Sequence, residues 1–213
     1  MWKSGGMDLH LVNHPLAADR LRSLRDHTTD TARFRDAMDS LGAMLCYEAF
    51  SGIEVTDVEV QTPLSVTTGK QVTDAPLFVP VLRAGLGLLE PAIRLVPSAQ
   101  VGFFGLARDE QTHQPVTYLA SLPEDLSDRQ VVVLDPMLAT AGSMVATVKA
   151  LVERGARDIV CVCVLCAPEG VRVLEGVEHV ASLYTAAIDD HLDENAFIVP
   201  GLGDAGDRLY GPR

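Results

Sequence analysis

The sequence predicts an α/β fold: a mostly parallel sheet with helices on both faces, a small hood or edge region and a flap hairpin. Three observations carry that prediction. Apolar runs of strand length recur at Ala75–Leu82, Val101–Ala107, Val131–Leu134, Asp158–Ala167 and His179–Thr185. The most continuous of them, Val131–Leu134, has the β-branched character of a strand buried on both faces. Stretches with apolar residues at helical spacing alternate with these runs, notably Leu88–Leu95, Met144–Arg154 and Pro168–Leu174. Finally, two strand tips run straight into turns of small residues: Arg83-Ala84-Gly85-Leu86-Gly87, and Asp135-Pro136 followed by Ala139-Thr140-Ala141-Gly142-Ser143.

The bulk numbers agree with one large α/β domain. The chain has 213 residues, 47% of them hydrophobic, enough for a sizeable core. Residues 7–213 read as this single domain. Lys3-Ser4-Gly5-Gly6 reads as a flexible leader, with residues 1–6 an N-terminal extension and Met7 a candidate native start. A net charge of −12 argues against a nucleic-acid partner held through phosphate contacts. The N-terminus lacks the apolar centre of a signal peptide and no run reaches membrane-spanning length, so a cytoplasmic protein is expected. Three of the four cysteines lie in the strand-like run Cys161–Cys166. Strict alternation would put Cys161 and Cys163 on one face and Cys166 on the other. All three are expected to be reduced core residues rather than metal ligands.

In chain order, a helical pattern develops from His14-Pro15-Leu16, and Thr31–Phe50 is amphipathic, apolar at Phe34, Ala37, Met38, Leu41, Met44, Leu45 and Ala49. Glu54–Gln61 alternates polar and apolar residues, as exposed strands of a hood or edge do. Gly69-Lys70 is no Walker A loop, because Leu64 stands where the first glycine should be. Val101–Ala107 leads into a polar hairpin, Arg108–Tyr118, of the kind that serves as a loop or a lid. His113 in that hairpin has no Ser or Cys nucleophile placed with it and reads as a solvated residue. The tail reads as glycine-rich coil tethered by Phe197–Pro200 and Leu209-Tyr210. Its Gly201–Gly206 stretch formally matches G-x-G-x-x-G, but too little chain follows for a helix and second strand.

Gln130–Gly142 is the stretch with the clearest chemistry. A buried strand, a small-residue turn and a helix N-terminus converge free N–H groups on one spot, which suits a phosphate. Asp135 at the strand's tip suits the hydroxyls of a sugar attached to it. Arg83 stands at the carboxyl edge of the sheet, where open α/β folds bind ligands. On shape alone, an ordinary βα turn remains an equal reading of the phosphate loop.

The motif Asp135–Ser143, DPMLATAGS, closely resembles the DPMLATGGS signature of uracil phosphoribosyltransferases. VPVLRAGLG resembles that family's pyrophosphate loop, R-x-E-x-T-x-x-P-x-x-Y (Arg108 to Tyr118) its flap, and IVPGLGDAGDRLYG its uracil-binding segment. The resemblance spans the chain from about Met7. It implies conversion of uracil and 5-phosphoribosyl pyrophosphate (PRPP) to UMP and diphosphate, with Mg²⁺ carried by PRPP and no separate protein metal site. It implies Arg83, Arg108 and Asp135 as catalytic residues. PRPP would be held by these together with Pro136, Met137, Leu138, Ala139, Thr140, Ala141, Gly142, Ser143 and Asp204, and uracil by Ile198, Gly203, Asp204 and Ala205. The resemblance also allows a GTP effector and implies a homodimer or higher homo-oligomer, with no membrane partner.

Four positions depart from the family pattern: Ala141 replaces a glycine, Phe197 a tyrosine, and His191 and Asp193 a glycine and an asparagine. Ala141 is expected at negative φ, with Gly142 taking any left-handed conformation the loop requires. The nest is expected to be complete without Ile198–Arg213. Beside the main reading stand a phosphoribosyltransferase for another base and a non-catalytic PRPP-sensing regulator.

Overall fold

A computed structural model describes residues 6–108 and 115–212, the side chains of residues 107, 108 and 115 excepted. The chain opens with β1 (Asp8–Leu11), α1 (Pro15–Arg25) and α2 (Thr31–Ala49). Pro15 starts α1 where no N–H is needed, and His14 Nδ1 accepts the Leu16 N–H at 3.2 Å. Asp30 caps α2 through the Arg33 N–H at 2.9 Å. The apolar stripe of α2 is buried as its spacing predicts, from Phe34 through Met38 and Leu41 to Leu45.

An exposed antiparallel hairpin follows, β2 (Val55–Gln61) with β3 (Val66–Val72), standing apart from the main sheet as the alternation suggests. Then come β4 (Leu77–Leu82), α3 (Leu86–Leu95), β5 (Gln100–Val101), β6 (Phe103–Arg108) and β7 (Pro115–Ser121). The second half is β8 (Gln130–Leu134), β9 (Met137–Leu138), α4 (Gly142–Val152), β10 (Asp158–Cys166), α5 (Pro168–Glu175) and β11 (Val180–Ile188). A short hairpin, β12 (His191–Leu192) with β13 (Ile198–Val199), and a final helix, α6 (Ala205–Tyr210), complete the described chain.

The main sheet runs β1-β11-β10-β8-β4-β6-β7, with β5 beside β4 and β9 beside β10. Every pairing in it is parallel except β6 with β7. Alternate residues of the central strands feed two cores. Phe78, Val132, Leu134, Val160 and Val162 face α1, α2, α3 and α6. Leu77, Val79, Val131, Val133, Cys161 and Cys163 face α4 and α5. Helices on both faces, the hood hairpin and the β6–β7 hairpin therefore match the expected class. No helix among the described residues is long and apolar enough to cross a membrane.

The structure corrects the sequence reading at several points. Pro136 interrupts β8 but does not end its course, because the chain resumes as β9 against β10. The break leaves the Pro136 carbonyl accepting from both Val164 N–H at 2.9 Å and Leu165 N–H at 3.0 Å. Val164 and Leu165 consequently face the same core. Alternation is reset there, so Cys166 joins Cys161 and Cys163 instead of opposing them. All four cysteines are buried free thiols, and the three of the Cys161–Cys166 run are core residues as expected. β1 was not expected as a strand: its four residues are too few for their alternation to stand out, all four are exposed, and it is held by the backbone ladder to β11.

The tail is not tethered coil. Asp204 caps α6 through the Asp207 N–H at 2.8 Å, and Ile198, Leu202, Ala205 and Leu209 are all buried in the core shared with α2. No strand follows α6 among the described residues, in keeping with the rejected dinucleotide motif. The expectation that the nest stands complete without Ile198–Arg213 meets a difficulty here, because that segment fills part of the core. Leu209→Ala should therefore lower unfolding stability by about 2–4 kcal/mol in urea titration, the usual cost of truncating a buried leucine. A change under about 1 kcal/mol would mean that the tail is only loosely attached.

Candidate active site

Two neighbouring strands leave the sheet centre in opposite directions. From β4 the chain crosses by α3 to β6 on one side, and from β8 it crosses by α4 to β10 on the other. A crevice must open at the carboxyl ends of such a strand pair, where neither connection covers it. Arg83 follows β4 and Asp135 follows β8, so both stand at the mouth of that crevice. Gly85 permits the close approach: a Cβ there would collide with the Leu134 carbonyl and the Val81 backbone.

The cleft has two lobes that share Ala84, Asp135, Ser143, Asp204 and Gly206. One, of about 510 Å³, is lined also by Arg83 and Asp207. The other, of about 330 Å³, is lined by Met137, Ala139, Phe197, Ile198, Gly203 and Ala205. Asp135 and Asp204 thus stand at the junction. Of the residues expected to form the site, Arg83, Asp135, Met137, Ala139, Ser143, Ile198, Gly203, Asp204 and Ala205 are brought together. Thr140 and Gly142 are exposed at the entrance to α4, while Pro136 and Leu138 are buried beneath the loop. Arg108 ends β6, one strand beyond β4 in the sheet, but its side chain lies outside the described residues. So do Asp109–Gln114 of the flap, with His113.

Burial pushes the Asp135 carboxyl up to about 7, against the opposing pull of the Met137 N–H at 3.5 Å. Arg83 donates to Asp207 Oδ1 at 3.0 Å, and its Nε is buried with no partner among the described residues. Asp207 was not singled out from sequence; its only signal was a second aspartate one helical turn beyond Asp204.

Among the described residues the α4 N-terminus has no side-chain cap, as at α3 and α5 and unlike α1, α2 and α6. Its Gly142 N–H makes only a long contact of 3.4 Å with Thr140 Oγ1, and the positive end of the helix dipole faces the loop, which suits an anion. Ala141 sits at its N-cap with φ 65° and ψ 3°, and Gly142 is not among the positive-φ residues. This overturns the expectation of a negative φ. The chain must pass from β9 into α4 within three residues, and the left-handed residue makes that reversal. The Ala141 methyl is buried in the core with Met144 and Val148, so it points away from the open loop.

A family model described as uracil phosphoribosyltransferase matches residues 11–212. The chain belongs to the uracil phosphoribosyltransferase family. The Corynebacterium efficiens uracil phosphoribosyltransferase is 54% identical over 97% of this chain and 98% of its own length. A solved Aquifex aeolicus protein superposes with a TM-score of 0.89 at 35% identity, covering 95% of this chain and 98% of that one. A Bacillus anthracis hypoxanthine-guanine phosphoribosyltransferase shares the fold at a TM-score of 0.51 and 11% identity, over 75% of this chain and 80% of that one.

Two properties of this chain can be tested without substrate. A left-handed alanine costs about 1–2 kcal/mol. Replacing it with glycine loses a buried methyl of about 0.8 kcal/mol and adds unfolded-state entropy of about 0.5–1 kcal/mol. These offset, so Ala141→Gly should leave stability within about 1 kcal/mol of the parent by urea unfolding. For Asp135, a raised folded pKa means that the folded protein keeps a proton the unfolded chain has lost. Stability attributable to this carboxyl is fully present below the ordinary value of 3.8, falls as pH rises toward about 7 and levels off above it. Asp135→Asn should accordingly raise Tm by several degrees at pH 8 and by much less at pH 5, in thermal melts without ligand. An equal shift at both pH values would contradict the burial argument.

Proposed function

We propose that this protein transfers the 5-phosphoribosyl group of PRPP to uracil, releasing diphosphate and forming UMP in pyrimidine salvage. The observation that carries this reading is the two-lobed cleft at the β4–β8 divergence, with a carboxylate at its junction, an arginine in one lobe and a loop of polar backbone in the other. Family membership over nearly the full length supports the same reaction.

Departure of diphosphate from the anomeric carbon leaves an oxocarbenium-like ribose, so positioning and charge stabilisation supply the catalysis and no protein nucleophile is required. Arg83 takes the leaving diphosphate, exchanging its contact with Asp207 for phosphate oxygens. Arg108 joins it from the β6–β7 hairpin when that hairpin covers the cleft and excludes water. The uncapped start of α4, with Thr140, Gly142 and Ser143, receives the 5-phosphate. Asp135 accepts hydrogen bonds from the ribose hydroxyls. Uracil presents an N–H between two carbonyls, and backbone groups of Ile198, Gly203 and Ala205 match that order, while cytosine has it partly reversed.

The donor set also fits Mg²⁺. No group of three or more His, Cys, Asp or Glu among the described residues is arranged to hold a metal alone. Mg²⁺ is commonly held by one or two carboxylates together with substrate phosphates. Asp135 and Asp204 would serve beside the diphosphate, and the ion would supply neutralisation of the leaving group. Exposed Val60, Leu64 and Val66 on the β2–β3 hairpin support assembly as a homo-oligomer, which sedimentation analysis would detect.

The purified protein should form UMP from uracil and PRPP and give little product with cytosine, hypoxanthine or orotate. Turnover confined to another base would replace uracil in this reading, and PRPP binding without any turnover would favour the regulator. Arg83→Ala should weaken PRPP use at least tenfold, since a charge-assisted contact of ~1.5–3 kcal/mol is lost. Asp135→Asn should do the same. Near-normal kinetics in both variants would remove this cleft from the mechanism.

A further inference from the structure

The loop that lines the smaller lobe does not hold itself up. Gly201 and Leu202 lie between the lining residues Ile198 and Gly203, yet both are buried away from the cleft. Gly201 takes φ 66°, and a Cβ on it would overlap the Ile198 carbonyl. A turn this tight has peptide groups that the loop cannot satisfy internally, so they must find partners elsewhere.

Two residues remote in sequence supply them. Asp189, just past the tip of β11, accepts the Gly201 N–H through Oδ2 at 2.8 Å. Arg25, the last residue of α1, donates to the Gly201 carbonyl at 3.0 Å. The same guanidinium grips Asp189 with both prongs, at 2.7 and 2.6 Å. The result is a closed triangle of a carboxylate, a guanidinium and one glycine peptide. Asp189 is itself fixed from behind, its own N–H bonded to the Cys166 carbonyl at 2.9 Å. A planar fork suits this arrangement: one terminal nitrogen reaches an Asp189 oxygen and the Gly201 carbonyl while the other reaches the second carboxylate oxygen, whereas a lysine ammonium offers its N–H groups from a single point.

We propose that Arg25 and Asp189 are positioning residues for the nucleobase: they set the Gly201 turn, and through it the backbone groups of Ile198 and Gly203–Ala205 that read the base. This rests on the uracil reading of the smaller lobe. Neither side chain lines either lobe of the cleft, so their effect passes entirely through the loop. The loop proposed to carry the 5-phosphate follows β9, and the hydrogen bonds of Arg25 and Asp189 among the described residues go to each other, to Gly201 and to Cys166 rather than to it. Base recognition should therefore respond to these substitutions and PRPP recognition should not.

The test is steady-state kinetics on full-length Arg25→Ala, Arg25→Lys and Asp189→Asn beside the parent protein, varying uracil and PRPP separately. The expected result is a KM for uracil raised at least tenfold in Arg25→Ala, with KM for PRPP within twofold and kcat at saturating uracil within threefold. Arg25→Lys, which keeps the charge but not the fork, should recover only part of the loss. Asp189→Asn retains an oxygen for the Gly201 N–H and should fall between the parent and Arg25→Ala; it also serves if the alanine variant does not fold. An unchanged KM for uracil in folded variants overturns the proposal, as does an equal rise in both KM values, which would denote general loosening. A parent protein that forms no UMP would instead overturn the uracil reading on which the proposal stands.

Discussion

The divergence of β4 and β8 is the constraint on which the site depends. These strands are hydrogen-bonded neighbours, Leu77 beside Val131 and Pro80 beside Leu134, yet their crossovers depart to opposite sides and opposite faces. Right-handed connections from adjacent parallel strands cannot both cover the gap above their tips. That geometry fixes where Arg83 and Asp135 emerge, and it brings a helix N-terminus to the same edge. The two apolar cores on either face hold the strands in this register, because sliding β8 by one residue would exchange Val132 with Val131 between cores. Position at the site is therefore inherited from burial elsewhere.

What could be read from the sequence follows from how local each signal is. The central strands announce themselves because burial on both faces demands uninterrupted apolar residues, and α2 does so because only one of its faces is buried. The tip residues Arg83 and Asp135 were found for the same reason, each standing where an apolar run stops. β1 and the shared carbonyl of Pro136 were not legible, since both depend on a partner strand far along the chain. The reset of alternation at Val164 and Leu165 shows the limit of period-two reasoning: one proline in a neighbouring strand moved Cys166 to the other face. Ala141 shows another limit. Its residue type argued for negative φ, but the demand for a reversal ahead of α4 outweighed a cost of about 1–2 kcal/mol.

The tail was misread for a compositional reason. Glycines at 201, 203 and 206 suggest coil, and nothing local reveals that Leu209 is buried under α2 or that Asp204 starts a helix. Arg208 makes the same point. Its guanidinium lies 4.2 Å over the Phe34 ring and donates to the carbonyls of Leu24, Leu202 and Asp26, so a charged residue near the chain's end ties α6 to the α1–α2 corner. Arg25 and Asp189 are 164 positions apart, and neither belongs to a motif that names the other. Sequence similarity identified residues that line the cleft, while those that hold its lining in place appeared only in three dimensions.

Asp135 and Asp189 show how one fold gives like residues unlike work. They follow β8 and β11, strands that flank β10, and both meet the cost of leaving water. At Asp189 burial pushes the carboxyl up, but the Arg25 guanidinium and the Gly201 N–H outweigh it, and the group stays ionised below the usual carboxylate range. At Asp135 burial meets, among the described residues, a single long N–H contact, and the carboxyl is driven to about 7. The first carboxylate has its partners within the chain and therefore acts as structure. The second has unmet capacity for hydrogen bonds or positive charge at the junction of the cleft, which a ribose with its hydroxyls, or a cation accompanying a diphosphate, would meet. The stability withheld from the free protein at Asp135 becomes available when such a ligand arrives, which is how an underpaired buried carboxylate favours binding over folding.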